Sequence, residues 1–393
     1  MINTRVLPES TAPDRTFKYI DISQVDSNGT LSLPDEDVSF GEAPSRARRF
    51  ASAGDTIVST VRTYLTAIAR VPATAAPLVF STGFAVLEPK GIESRFLTYA
   101  CRSRPFVGEV VARSTGVSYP AINPSDLASI SIPMPEPQEQ RRIADFLDDR
   151  ITRIDQIIAA RQRQLELLPS LIEAEIAEVI DEVGGAECPL WMVTEKITDG
   201  AHVSPDTTDG VFDFVSTRDI GPTGSIDFEG SLKTSSRSYA ELVKYGCRPQ
   251  VGDVLFSKDG TVGRTARVTE DREFVVASSL IIIRPVPSLL NENYLHFLCK
   301  HAKFTQQVDA FVKGAGLPRI SIANLRRVTG IFPPLKSQLS LALQLGTAYS
   351  SAVRTGEHLM ASVDRLTEFK QSLITAAVTG ELDVTTASSG IPG

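Results

Sequence analysis

Gly54-Asp55-Thr56-Ile57-Val58-Ser59 and Gly252-Asp253-Val254-Leu255-Phe256-Ser257 are two readings of one phrase, 198 residues apart. The same offset aligns Phe96-Leu-Thr-Tyr-Ala-Cys101-Arg102 with Tyr294-Leu-His-Phe-Leu-Cys299-Lys300. It also aligns Pro120, Ile122, Leu127, Pro135 and Gln140 with Pro318, Ile320, Leu325, Pro333 and Gln338. Upstream, Phe17-Lys-Tyr-Ile and Asn28-Gly29 match Phe212-Asp-Phe-Val and Thr223-Gly224 at an offset of 195. A solenoid repeats every ~20–50 residues, so this period marks a duplicated domain. What the chain does, it is expected to do in two places.

The 393 residues suffice for two to three domains, and 42% hydrophobic with 22% charged content is that of a globular protein. No run of about 18 apolar residues is present, and the N-terminus has no apolar signal core, so a cytoplasmic location without a membrane span is expected. The four cysteines (101, 188, 247, 299) have no CxxC spacing, which argues against structural disulfides. The net charge of −7 is unevenly spread. Residues 1–137 carry −1, 138–187 carry −6, 188–336 carry +2 and 337–393 carry −2. The two large blocks are near neutral, which removes most of the global objection to a polyanionic partner.

The two acidic segments read as helices. Apolar residues recur in steps of three and four at Ile143, Leu147, Ile151, Ile154, Ile158, Leu165, Leu168, Ile172, Ile176 and Val179. The second copy reads Leu341, Leu345, Tyr349, Ala352, Leu359, Val363, Leu366, Phe369, Leu373 and Ala377, ending at Gly380. Pro169 falls within the first pattern and predicts a kink or a division there. Helices of 40–45 residues run roughly 60–68 Å, too long for a compact domain to cover. The two stripes are therefore expected to bury each other, in parallel or antiparallel sense. The blocks before each helix read as mixed α/β, with strands at Phe17–Ile22, Thr56–Ser59, Val79–Leu87, Phe212–Ser216, Val254–Ser257 and Phe274–Arg284. The first block reads as shortened at its start: Cys188-Pro-Leu-Trp191 and Gly200-Ala-His202 have no match ahead of Phe17.

A duplicated enzyme should carry duplicated chemistry. No GxGxxG, GxxxxGK[ST] or GxSxG motif occurs. The four histidines lack ligand-spaced neighbours, so no metal is expected. Asp55 with Glu88-Pro-Lys90 faintly suggests a nuclease, but the counterpart Arg284-Pro285-Val286 has no acid. Phe332-Pro333-Pro334-Leu335 lacks the first amide or acid of an amino-methylating loop. What repeats is frame; what differs is loop content. After the first Gly-Asp come Arg62, Thr63 and Tyr64; after the second come Lys258, Thr261 and Arg264. The later loop holds Ser118 and Tyr119 in one copy, and Lys313 and Arg319 in the other. Side chains of these types bond bases and phosphates, so these ten are the candidate DNA contacts.

The pattern resembles the specificity subunit of type I restriction-modification systems. The resemblance rests on Ile132-Pro-Met-Pro-Glu-Pro-Gln-Glu-Gln-Arg-Arg-Ile-Ala144, on Leu366-Thr-Glu-Phe-Lys-Gln-Ser-Leu-Ile-Thr-Ala-Ala-Val-Thr-Gly380-Glu-Leu-Asp383, and on the order block, helix, block, helix. Pro-Pro-Leu-Lys-Ser-Gln338 departs from the acid-Gln-Arg character of the first helix start. The resemblance implies an α+β fold with two mixed α/β target-recognition domains (1–137 and 184–336). Two long helices (138–183 and 337–383) would separate them, pairing as an antiparallel coiled coil, with a disordered tail over 384–393. It implies a non-catalytic subunit whose domains each read half of a bipartite, asymmetric site in double-stranded DNA. The helices would set the spacer and dock two methyltransferase subunits, followed by two translocase/endonuclease subunits. Ile143, Leu147, Ile154, Ile158, Leu165, Leu345, Tyr349, Val363 and Leu366 would form the helix pair. This chain itself would bind no cofactor; S-adenosylmethionine, ATP and Mg would belong to the partners. A protein-binding coiled-coil scaffold and an undetected DNA-modifying enzyme are the alternatives.

Overall fold

A computed structural model of the chain describes residues 2–74, 76–203, 205–206, 210–221, 223–314 and 316–386. The last seven residues of the expected disordered tail (Ala387–Gly393) lie outside them; Leu382 and Val384, just before, pack on an apolar core. The chain divides into two compact units, residues 1–162 with 361–393, and residues 163–360. Both boundaries fall inside the long helices, Pro137–Val183 and Leu335–Thr379, so each unit owns one end of each helix.

The first unit holds two sheets. One orders Val38–Ser39, Thr16–Ile20, Leu78–Ser81 and Ala47–Phe50, with the central pair parallel. The other is an antiparallel set of Ile68–Arg70, Thr56–Ser59 and Phe84–Leu87. The second unit repeats this plan. Leu232–Thr234, Phe212–Val215 and Phe274–Val276 form one sheet, again with a parallel pair. Thr265–Arg267, Val254–Ser257, Leu280–Pro285 and Thr194–Asp199 form the other, antiparallel throughout. Thr56 opposes Arg70 and Leu87; Val254, its repeat partner, opposes Arg267 and Ile283.

Two expected strands each prove to be two. Val79–Leu87 breaks at Thr82-Gly83, and Phe274–Arg284 breaks at Ala277–Ser279. In both copies the chain changes sheet at the break. Alternation could not reveal it, because both halves are buried on both faces and read as one apolar run. The two units differ at the edges of these sheets. In the second unit, Thr194–Asp199 pairs along Leu280–Pro285 and Ala186–Pro189 along Thr329–Phe332. In the first, the Phe84–Leu87 edge takes a bridge from Ile2 and a bond from Asn3 N to Val86 O at 2.8 Å.

The Gly-Asp turns recur because each element of them is required. Gly54 and Gly252 adopt φ of 90° and 89°, which a side chain disfavours. Asp55 and Asp253 are buried carboxylates that accept from backbone three residues upstream, Ser52 N and Gln250 N, both at 2.7 Å. Each also needs a cation. Arg284 supplies it to Asp253 through two bonds of 2.8 Å; in the first copy Arg5 comes from outside the repeat to do the same.

Each long helix is anchored by one glutamine. Gln140 Oε1 accepts from Glu93 N at 2.8 Å and its Nε2 donates to Pro135 O at 2.7 Å. Gln338 Oε1 accepts from Asn291 N at 2.9 Å, and its Nε2 donates to Leu289 O and Pro333 O, both at 2.8 Å. Both side chains are fully buried. Pro137, at the helix start, has no N–H to leave unpaired there.

The helices pair antiparallel within each unit. In the first, Ile143, Leu147 and Ile151 pack on Ile374, Ala377 and Val378, together with Phe96 and Tyr99 from Ser94–Arg102. Lys370 Nζ donates to Asp155 Oδ1 at 2.6 Å. In the second unit, Ile176 and Ile180 pack with Leu341, Ala342 and Leu345, and Tyr349 lies against that cluster. Ile143, Leu147, Ile154, Leu345 and Leu366 are buried, whereas Ile158, Leu165, Tyr349 and Val363 are half-buried. Pro169 does not divide the first helix, which runs unbroken for 47 residues. The proline itself is exposed. Leu168, just before it, and Leu165, one turn back, sit against Gly356 of the other helix.

Candidate nucleic-acid interface

Each unit joins the loop leaving its Gly-Asp strand to the loop that ends at Pro-x-Ile. In the first, Val61 and Thr115 each form a bridge with Ala121, and Ile122 N donates to Thr60 O at 2.9 Å. In the second, Asp259 and Lys313 each form a bridge with Arg319, and Ile320 N donates to Lys258 O at 3.1 Å. All of these pairs keep the 198-residue offset. Gly116 and Gly314 turn the second loop at φ of 104° and 105°; a Cβ there would meet the carbonyl oxygen of Tyr119 or Leu317 at 3.0 or 2.5 Å. The backbone junction is therefore one structure built twice, carrying different side chains.

At the first junction, Arg62, Tyr64, Ser118 and Tyr119 are exposed, and Val117 is wholly so. The Arg62 guanidinium carbon lies 4.9 Å from the centre of the Tyr119 ring. Thr63 is buried, with Oγ1 2.7 Å from Ser114 Oγ, and ties the two loops together, so it is not available to DNA. Arg62 adopts the left-handed conformation, φ 50° and ψ 49°, where its repeat partner is Gly260 at φ 70°. For a residue with a Cβ that conformation costs about 1–2 kcal/mol. Arg62→Gly is therefore expected to leave the melting temperature unchanged or a few degrees higher. A clear fall in a thermal melt would show that Arg62 serves the fold instead.

At the second junction, Thr261, Arg264, Lys313 and Arg319 are exposed. Lys258 is a correction to the expected contacts. It is buried and donates to Asp199 Oδ2 at 2.7 Å, as His202 Nε2 does at 2.7 Å in the neutral or protonated ring. Burial opposes the charge on Asp199, but the Lys258 ammonium overcomes it and holds the carboxyl below its ordinary range. Arg319 is not a free cation either: its Nε and Nη2 donate to Asp259 at 2.6 and 3.2 Å. Sequence reasoning missed Asp199, Asp259, Ser114 and Val117. For Asp259 a signal exists, since an acid stands where the repeat has Val61. Asp199 lies in Thr194–Asp199, outside the stretch over which the two copies align, so comparing the copies could not find it.

Among the described residues, no three His, Cys, Asp or Glu are gathered as metal ligands. Asp55 is engaged by Arg5 and Ser52, and Glu88 accepts from Thr4 Oγ1 at 3.0 Å. No helix among the described residues is long and apolar enough to cross a membrane.

The family model described as the type I restriction modification DNA specificity domain matches residues 12–167 and 210–344. The chain belongs to this family. Both matches contain one of the two loop junctions. Among specificity-family relatives, the type I restriction enzyme MjaIX specificity subunit of Methanocaldococcus jannaschii is 22% identical over 332 residues, covering 78% of this chain and 74% of that one. The EcoKI specificity subunit of Escherichia coli K12 is 20% identical over 322 residues, covering 76% and 68%. Two solved structures share the fold. One, solved in work on complex assembly and conformational transition of the type I R-M system, has a TM-score of 0.78 at 24% identity, covering 97% of each chain. The HsdS subunit from Thermoanaerobacter tengcongensis has a TM-score of 0.57 at 24% identity, covering 96% and 94%.

Proposed function

We propose that this chain supplies the sequence specificity of a type I restriction-modification complex, each recognition domain reading one half of a bipartite, asymmetric DNA site. The observation that carries the reading is the pair of loop junctions: one backbone frame at one offset, with unlike exposed side chains. Identical readers would take a palindrome, and unlike ones take two different half-sites. Family membership supports DNA specificity over a scaffold that binds protein alone.

The chain contributes no catalytic group of its own in this reading. Methylation falls to two docked methyltransferase subunits with S-adenosylmethionine, and cleavage to two ATP- and Mg-dependent translocase/endonuclease subunits, in the cytoplasm. The helices set the spacer and offer the docking faces. Leu167 with Leu171, and Leu339 with Leu343, are apolar i,i+4 pairs left exposed outside the seam, which suits a helical partner. The test is methylome sequencing of cells with and without the gene. A bipartite motif that appears only with the gene is the expected result; no difference overturns the reading.

A further inference from the structure

At each junction one arginine is held by a side chain from the opposite loop, and the two domains do this in reverse. In the first domain the arginine is on the earlier loop, Arg62, and its support is the Tyr119 ring on the later one. A guanidinium stacked on a ring keeps its N–H edges free. In the second domain the arginine is on the later loop, Arg319, and its support is Asp259 on the earlier one. Asp259 grips one edge of that guanidinium, through Nε and Nη2, and leaves Nη1 and the outer N–H of Nη2 free. The Asp259 side chain is only 12% exposed, whereas that of Arg319 is 58% exposed, a fixed anchor under an accessible fork. Arg62 also holds a backbone conformation that its repeat partner leaves to glycine.

A long flexible side chain loses rotamer freedom on binding, and a support removes part of that loss in advance. The fork so held presents two parallel donors. In the major groove the base edge that accepts two parallel donors is guanine, through O6 and N7. Lys313 and Arg264 lack a comparable support among the described contacts and suit phosphates, which need charge more than orientation.

We propose that each half-site contains a guanine read in the major groove by a supported arginine, Arg62 in one half and Arg319 in the other. This rests on the junctions being DNA contacts. The experiment takes the full chain with its methyltransferase partner and sequences the methylome for wild type, Arg62→Lys, Tyr119→Ala, Arg319→Lys and Asp259→Asn. Arg62→Lys and Tyr119→Ala are expected to relax one and the same G·C position of one half-site. Arg319→Lys and Asp259→Asn should relax one G·C position of the other. Discrimination at each should fall by about 5- to 150-fold. Motifs that stay intact, relaxed positions that are A·T, or paired variants that relax different halves would overturn the inference while DNA reading stands. Absence of any bipartite motif with the wild-type chain would instead sink the reading beneath it. Binding of the purified complex to duplexes carrying 7-deazaguanine, which lacks N7, covers the case of a variant silent in cells. The analogue should weaken wild type and leave Arg62→Lys no weaker at that position; equal loss in both refutes the contact.

Discussion

Removing residues 157–163 from the first long helix and residues 361–367 from the second is expected to yield a complex that methylates the same two half-sites with a shorter gap between them. The two deletions face each other across the antiparallel seam, where Asp155 meets Lys370 on one side and Leu168 meets Gly356 on the other. Seven residues are close to two helical turns, so each stripe keeps its phase and the flanking seam can close. The loss of length is about 10.5 Å at about 1.5 Å per residue, or roughly 3 base pairs at about 3.4 Å each. Removing seven residues from one helix alone would put seam contacts out of register and is expected to abolish methylation. Methylome sequencing reads both results. A paired deletion that methylates at the original spacing would refute the spacer role of the helices.

The largest effect on stability is expected from the two anchoring glutamines. Replacing Gln338 by leucine strands one buried N–H, of Asn291, and two carbonyls, of Leu289 and Pro333. Replacing Gln140 strands the N–H of Glu93 and the carbonyl of Pro135. An unpaired buried polar group costs about 1–3 kcal/mol, so each variant should lose about 2–5 kcal/mol, Gln338→Leu the more. For folding units of 150–250 residues that is roughly a 5–15 °C fall in melting temperature. Gln344, exposed on the second helix, is the control, and its leucine variant should move by less than about 0.5 kcal/mol. Losses below about 1 kcal/mol at both anchors would show that the helix starts are held by packing alone.

The frame of this protein was legible because duplication supplied an internal control. Thr56–Ser59 and Val254–Ser257 were read to the residue, and the glutamines and prolines at the helix starts stood out because they recur. The strand breaks at Gly83 and near Ser278 stayed hidden, since full burial on both faces erases alternation. Pro169 carried a local rule that the seam on either side overrides. At the junctions, sequence placed the loops but not the direction of each side chain. Thr63 and Lys258 are of the right chemical type and point inward, because Ser114 and Asp199 wait for them there. An inward lysine needs an acid beside it, and this one lies 59 positions away in Thr194–Asp199, outside the stretch over which the copies align.

The placement of the unit boundaries inside the helices has a consequence for synthesis on the ribosome. Residues 163–360 form one uninterrupted stretch that can complete its own core as soon as it emerges. The other unit is built from both ends of the chain. Its Ile143, Leu147 and Ile151 have no Ile374, Ala377 or Val378 to meet until those residues too have been made. The domain made first is thus the one finished last. While residues 152–373 are translated, an apolar stripe only partly covered by Phe96 and Tyr99 waits for its partner, the segment where a chaperone would be expected to bind the nascent chain.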